Sequence, residues 1–122
     1  MTVPVAPALA FACLLALPLG ACVSAGANPS ATRASELATL VSRSVACRAG
    51  APRRDTLERF LADEKARGAT PEQVAGARST YLTVSEAEAV NQSVKPQRCD
   101  PQERAALRDR MGAVRAGNFD AL

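Results

Sequence analysis

The chain has 122 residues, with 15 Lys or Arg set against 12 Asp or Glu for a net charge of +3, no His, no Trp and a single Tyr. Without His the commonest general base and the commonest metal ligand are both missing, and no close Cys spacing such as C-x-x-C stands in for them. Few aromatics, a mild charge surplus and no sustained basic block argue equally against nucleic-acid binding.

In chain order, the first feature is an uncharged apolar block over residues 8–19, ALAFACLLALPL. It is shorter than the roughly 18 residues a spanning helix needs, and small residues follow it, which is the pattern of an export signal. The run Leu19-Gly20-Ala21-Cys22 at its end resembles the lipobox of bacterial lipoproteins, with a branched apolar residue three places before the cysteine and small residues between. The resemblance implies a signal peptide over residues 1–21, a thioether-linked lipid on Cys22, cleavage before it and acylation of the new amino terminus. Several acyl chains, at about 0.8 kcal/mol per buried methylene, hold a protein firmly on a bilayer. The membrane is then a partner through the lipid. Val23 stands where Asp favours inner-membrane retention in enterobacterial lipoproteins, so the outer membrane facing the periplasm is the expected location. Ala25-Gly26-Ala27 offers a competing cleavage site that would release a soluble periplasmic protein.

Cleavage before Cys22 discards Cys13 and leaves about 100 residues, enough for one domain. Only 19 larger apolar side chains (Val, Leu, Phe, Tyr, Met) lie from Val23 onward, so the core is thin and needs a covalent staple. With Cys22 lipidated, Cys47 and Cys99 are the two thiols left in an oxidising compartment. We expect a disulfide between them, worth about 4 kcal/mol in the chain-entropy model; free or intermolecular thiols are the alternative.

Residues 22–31 are small, mostly polar and uncharged, and read as a flexible tether. The domain, residues 32–122, reads as all-α: a small bundle of four to five short helices. Leu37, Leu40, Val41, Ser44 and Val45 recur at helical spacing until Gly50 and Pro52. A second helix spans about 53–67, with Leu57, Phe60 and Leu61 inward and a solvated charge ladder of Asp55, Arg59, Asp63 and Arg67 outward. Thr70-Pro71-Glu72-Gln73 forms a capping box for the third. The β-branched cluster of Thr80, Thr83 and Val84, followed by the box-like Ser85-Glu86-Ala87-Glu88, predicts a break near residue 84. Asp100-Pro101-Gln102-Glu103 then starts a last helix, through about Arg115, that turns Leu107, Met111 and Val114 inward.

Candidate chemistry is sparse. Asp63 with Glu64, or Glu86 with Glu88, could serve as paired carboxylates, but each is expected on a solvated face, so no catalytic residue, metal or cofactor is assigned. The function expected is that of a lipid-anchored envelope protein acting as a non-catalytic interaction or structural module. It would offer an Arg-rich face to another envelope protein or to anionic wall or lipid material, and not to nucleic acid. The alternative is a periplasmic binding module for a small apolar or acyl ligand. A solvent-open groove lined by Phe60, Leu61, Tyr81 and Leu82 would favour the alternative; a filled core would favour the first reading.

Overall fold

Three of the four helices start on one device, a polar side chain followed by proline. The computed structural model describes residues 27–122, and in it Asn28 caps α1 (Pro29–Ala46) by accepting from the Ala31 amide at 3.1 Å. Asp100 caps α4 (Pro101–Ala116) through the Glu103 amide at 2.8 Å. Thr70 and Gln73 exchange both bonds of the capping box at the head of α3 (Pro71–Val94). Proline suits this position because its missing N–H would have had no partner in the first turn and its φ is already helical. The exception is α2 (Thr56–Ala66): Asp55 precedes it, but makes no cap bond and pairs with Arg53 at 3.2 Å.

The helix ends are also built by local rules. Gly117 closes α4 in the left-handed region (φ 88°), and the Asn118 amide reaches back to the Ala113 carbonyl at 3.0 Å. An added Cβ there would also run into the Arg59 guanidinium. The end of α1 makes the matching turn, with the Ala49 amide on the Ser44 carbonyl at 2.8 Å, but the left-handed residue is Arg48 (φ 53°). A residue with a Cβ costs about 1 kcal/mol in that conformation where glycine costs nothing.

The central helix is α1. Its Ala34, Leu37, Ala38, Leu40 and Val41 are all buried. α3 lies against it and runs parallel: Asn28 donates to the Gln73 carbonyl at the heads of both helices, so closely that a Cβ on Gly76 would meet Asn28 Nδ2 at 2.7 Å. α2 and α4 run antiparallel to α1, since Glu64 near the end of α2 meets Ser30 and Glu103 near the start of α4 meets Arg43. α2 is tied to α3 by the paired bonds of Arg78 to Glu58, which hold the Glu58 carboxyl below its ordinary range. Phe60 and Phe119 meet edge to face, with ring centroids 5.5 Å apart, and seal the core beneath the C-terminal residues.

Among the described residues the fold is all-α with four helices, and the Cys47–Cys99 disulfide joins the end of α1 to the residue before the α4 cap, with a Cα separation of 5.6 Å. Two arginines brace the same joint. Arg43 donates to Glu103 at 2.6 Å and to the Arg98 carbonyl at 3.1 Å, and Arg104 donates to the Cys47 carbonyl at 3.0 Å.

Three expectations need correction. α1 starts at Pro29, so residues 29–31, assigned above to the tether, are helical. α3 is unbroken through residue 84 and runs for 24 residues, so it is not a short helix. The charge ladder on α2 closes only at its last rung, where Arg67 meets Asp63 at 2.7 Å; Arg59 reaches across to the Arg115 carbonyl instead. The signal peptide, Cys13, residues 22–26 of the tether with Cys22, and the start of the competing cleavage site lie outside the described residues, while Asn28, also assigned to the tether, caps α1.

Candidate functional site

The four residues proposed above to line a groove do not share one. Phe60 and Leu61 are buried in the core, and Leu82 projects from α3 with 54% of its surface exposed. Tyr81 alone borders an open depression, a groove of about 390 Å³ between the C-terminal halves of α1 and α3. The groove is lined by the apolar Val41, Val45, Ala46 and Ala89 and by the polar Ser42, Ser85, Glu88 and Gln92. The face of α3 buried at Val74 and Ala77 continues through Tyr81 and Ser85 to Glu88 and Gln92. It turns polar as the neighbouring chain ends, and the groove is the gap this leaves.

Tyr81 reports on that groove. Burial pushes its phenol above the usual tyrosine value, and Ser85 one turn on pulls weakly the other way, although the Ser85 Oγ makes no well-formed hydrogen bond. As the chain has one Tyr and no Trp, ultraviolet absorbance isolates this group. We expect a titration midpoint above about 10 in the folded protein, returning to about 10 in denaturant. The neutral phenol is the form the fold favours. Its contribution to stability is therefore present below the unfolded value and is lost as the pH rises through the folded one. A folded midpoint at or below the denatured one would contradict this burial.

The carboxylate expected on a solvated face is in part interior. Glu64 is 3% exposed, accepts from the Ser30 hydroxyl at 2.6 Å and binds Arg33 Nε at 2.7 Å. Arg33 also donates to the Phe119 carbonyl at 3.0 Å and lies 3.6 Å from Asp63. Arg67, paired with Asp63, makes a further bond to Asp120. The network ties α1, α2 and the C-terminal residues together. Its sequence signal was available, because Glu64 follows Phe60 by four residues and Leu61 by three, on their face of the helix. Beside the network, Pro29, Gly68, Ala69 and Gln73 complete an open polar depression of about 370 Å³. The other pair separates: Glu88 lines the groove, while Glu86 is exposed and forms no ion pair among the described residues.

Cys47, Cys99 and Glu103 also cluster within 4.8 Å. The two sulfurs are bonded to each other and the carboxylate is held by Arg43, so each donor is already engaged.

Sequence reasoning gave no location for the arginines, and the structure does. The loop of residues 47–54 lies along α4, fixed by the bond of Arg104 to the Cys47 carbonyl and that of Arg115 to the Ala51 carbonyl at 2.7 Å. The closeness of Gly50 to α4, where an added Cβ would meet Met111 Cγ at 3.1 Å, fits the same path. Arg104, Arg108 and Arg115 fall within about 40° of one another around the helix. They flank Arg48, Arg53 and Arg54 of the loop, and all six are exposed. The only carboxylate paired with any of them among the described residues is Asp55.

Among the described residues, no helix is long and apolar enough to cross a membrane. Comparison with protein-family models, with curated proteins and with solved structures gives no match to this chain.

Proposed function

We propose that the chain is a lipid-anchored protein of the bacterial envelope, held to the outer membrane through Cys22 and acting as a non-catalytic interaction module in the periplasm. The observation that carries this reading is the division between interior and exterior. Phe60, Leu37 and Met111 fill the core, and the arginines stand outside. The start of α1 gives the anchor its geometry: five residues lie between Cys22 and its cap, Asn28, and even fully extended those six steps span only about 20 Å. Such a tether keeps the domain beside the bilayer.

Intact-mass analysis of the chain exported from a Gram-negative host tests the anchor. The expected product begins at Cys22, carries a diacylglyceryl group and an added acyl chain, and fractionates with membranes. The Cys22→Ser chain should lose the lipid and leave the membrane fraction. An unmodified Cys22, or a mature chain starting at Asn28, would overturn the anchor.

The groove beside Tyr81 supports a second reading, a binding module for a small apolar or acyl ligand, because Val41, Val45, Ala46 and Ala89 give it an aliphatic lining and its size suits such a molecule. Tyr81 emission followed during titration with a medium-chain fatty acid tests it. Saturable change, abolished by Ala89→Gln, would favour this reading over the first.

A further inference from the structure

We infer that the six-arginine face formed by α4 and residues 47–54 docks on the anionic phospholipid headgroups of the membrane that holds the anchor. This rests on the lipid-anchor reading above and names the partner of the domain.

Three observations converge on this face. The first is charge: Arg48, Arg53, Arg54, Arg104, Arg108 and Arg115 are exposed together, and Asp55 alone among carboxylates pairs with any of them. Lysine-rich or arginine-rich clusters of this size beside an anchor bind acidic lipid, and a guanidinium meets a phosphate with two parallel bonds. The second is that half of the cations have no partner among the described residues, while Arg53, Arg104 and Arg115 are held by Asp55 and by the Cys47 and Ala51 carbonyls. Arg48, Arg54 and Arg108 make no side-chain hydrogen bond among the described residues, whereas Arg33, Arg43, Arg67 and Arg78 elsewhere are bound to carboxylates. The third is Arg48 itself, in the left-handed position closing α1, where glycine would be free of strain. Packing does not explain an arginine there, since the residue is exposed; a ligand for its charge does.

An acidic protein could present the same charge. The tether decides for headgroups: it keeps the head of α1 within about 20 Å of a surface rich in phosphate, so each weak contact that the domain makes there operates at a high effective concentration.

The test compares binding of the full chain to vesicles of phosphatidylcholine with and without phosphatidylglycerol. The apolar N-terminal block contributes equally to both, so the ratio reads the face. We expect phosphatidylglycerol to raise partitioning, and added salt to remove the gain. Arg48→Gly, Arg54→Gln and Arg108→Gln should each cut that gain by about fivefold, the worth of one cation near such a surface. Arg48→Gly is the sharpest variant, because glycine fits its backbone better and the melting temperature should hold or rise. Lys65→Gln with Lys95→Gln, on α2 and after α3, is the control and should change little. The inference is overturned if phosphatidylglycerol gives no gain, if the lysine control loses as much as the arginine variants, or if an acidic polysaccharide is bound while vesicles are not. The two readings fail separately. A bare Cys22 with the phosphatidylglycerol gain intact removes the anchor only, and a lipidated Cys22 with no gain removes the face only.

Discussion

A chain carrying Cys47→Ala and Cys99→Ser should unfold about 4 kcal/mol more easily than the parent, with a melting temperature lower by about 20 °C for a domain of this size. The disulfide spans 52 residues of sequence, enclosing α2 and all of α3, so its loss returns that whole loop to the unfolded ensemble. Alanine is chosen at 47 because that site is 2% exposed, and a serine hydroxyl there would add a desolvation penalty of its own. Reductant on the parent provides an independent comparison with the same expected shift. The structure also limits the damage. Arg43 to Glu103 and Arg104 to the Cys47 carbonyl cross the same joint and need no sulfur, so at low temperature the helices should keep their places. Far-ultraviolet circular dichroism should therefore show normal helicity before a premature melt. A melt unchanged by either route would mean that the unfolded loop costs little to close.

Capping chemistry and apolar spacing made most of this fold legible. Thr70-Pro71 and Asp100-Pro101 start their helices as the sequence predicts, and the inward faces of α2 and α4 hold Phe60, Leu61, Leu107, Met111 and Val114. Asn28-Pro29 has the same cap chemistry, but the small polar residues around it give the segment the composition of a linker. The expected break at residue 84 failed for an energetic reason. Thr80, Thr83 and Val84 each cost only a few tenths of a kcal/mol in a helix, while contact along α1 rewards the continuous form. The apparent capping box at Ser85 stays unused, and its Oγ is buried without a partner.

The candidate site was less legible because it depends on which surfaces meet. Tyr81 and Leu82 are neighbours in sequence yet face the groove and solvent respectively, and Phe60 with Leu61 belongs to the core. Sequence spacing places side chains around one helix but does not say which stripe the rest of the chain covers. The arginine face shows this most clearly. Half of it comes from a loop whose path along α4 is set by backbone carbonyls of residues 47 and 51, groups that carry no sequence signature.

Glu64→Ala should cost about 3 kcal/mol, the largest loss we expect from a single surface-to-core polar group in this domain. Removal leaves the Ser30 hydroxyl without its acceptor in a position 2% exposed, and strips Arg33 of its closest carboxylate. The cost sits at the low end for a buried pair because the Arg33 side chain is 21% exposed and keeps the Phe119 carbonyl and the more distant Asp63. Glu64→Gln should cost less than Glu64→Ala, since its amide oxygen can still accept from Ser30. A double-mutant cycle with Arg33→Met separates attraction from desolvation: if the pair is retained for its own attraction, the two losses add to more than the double variant shows. Near-additivity would instead assign Glu64 to the packing of α2 on α1, with its charge tolerated. Hydrogen exchange gives the structural reading. Because Arg33 also holds the Phe119 carbonyl, protection should fall first in residues 118–122 and at the end of α2, and only later in α3. Uniform loss across all four helices would show that this network stabilises the domain globally and does not act as a local latch.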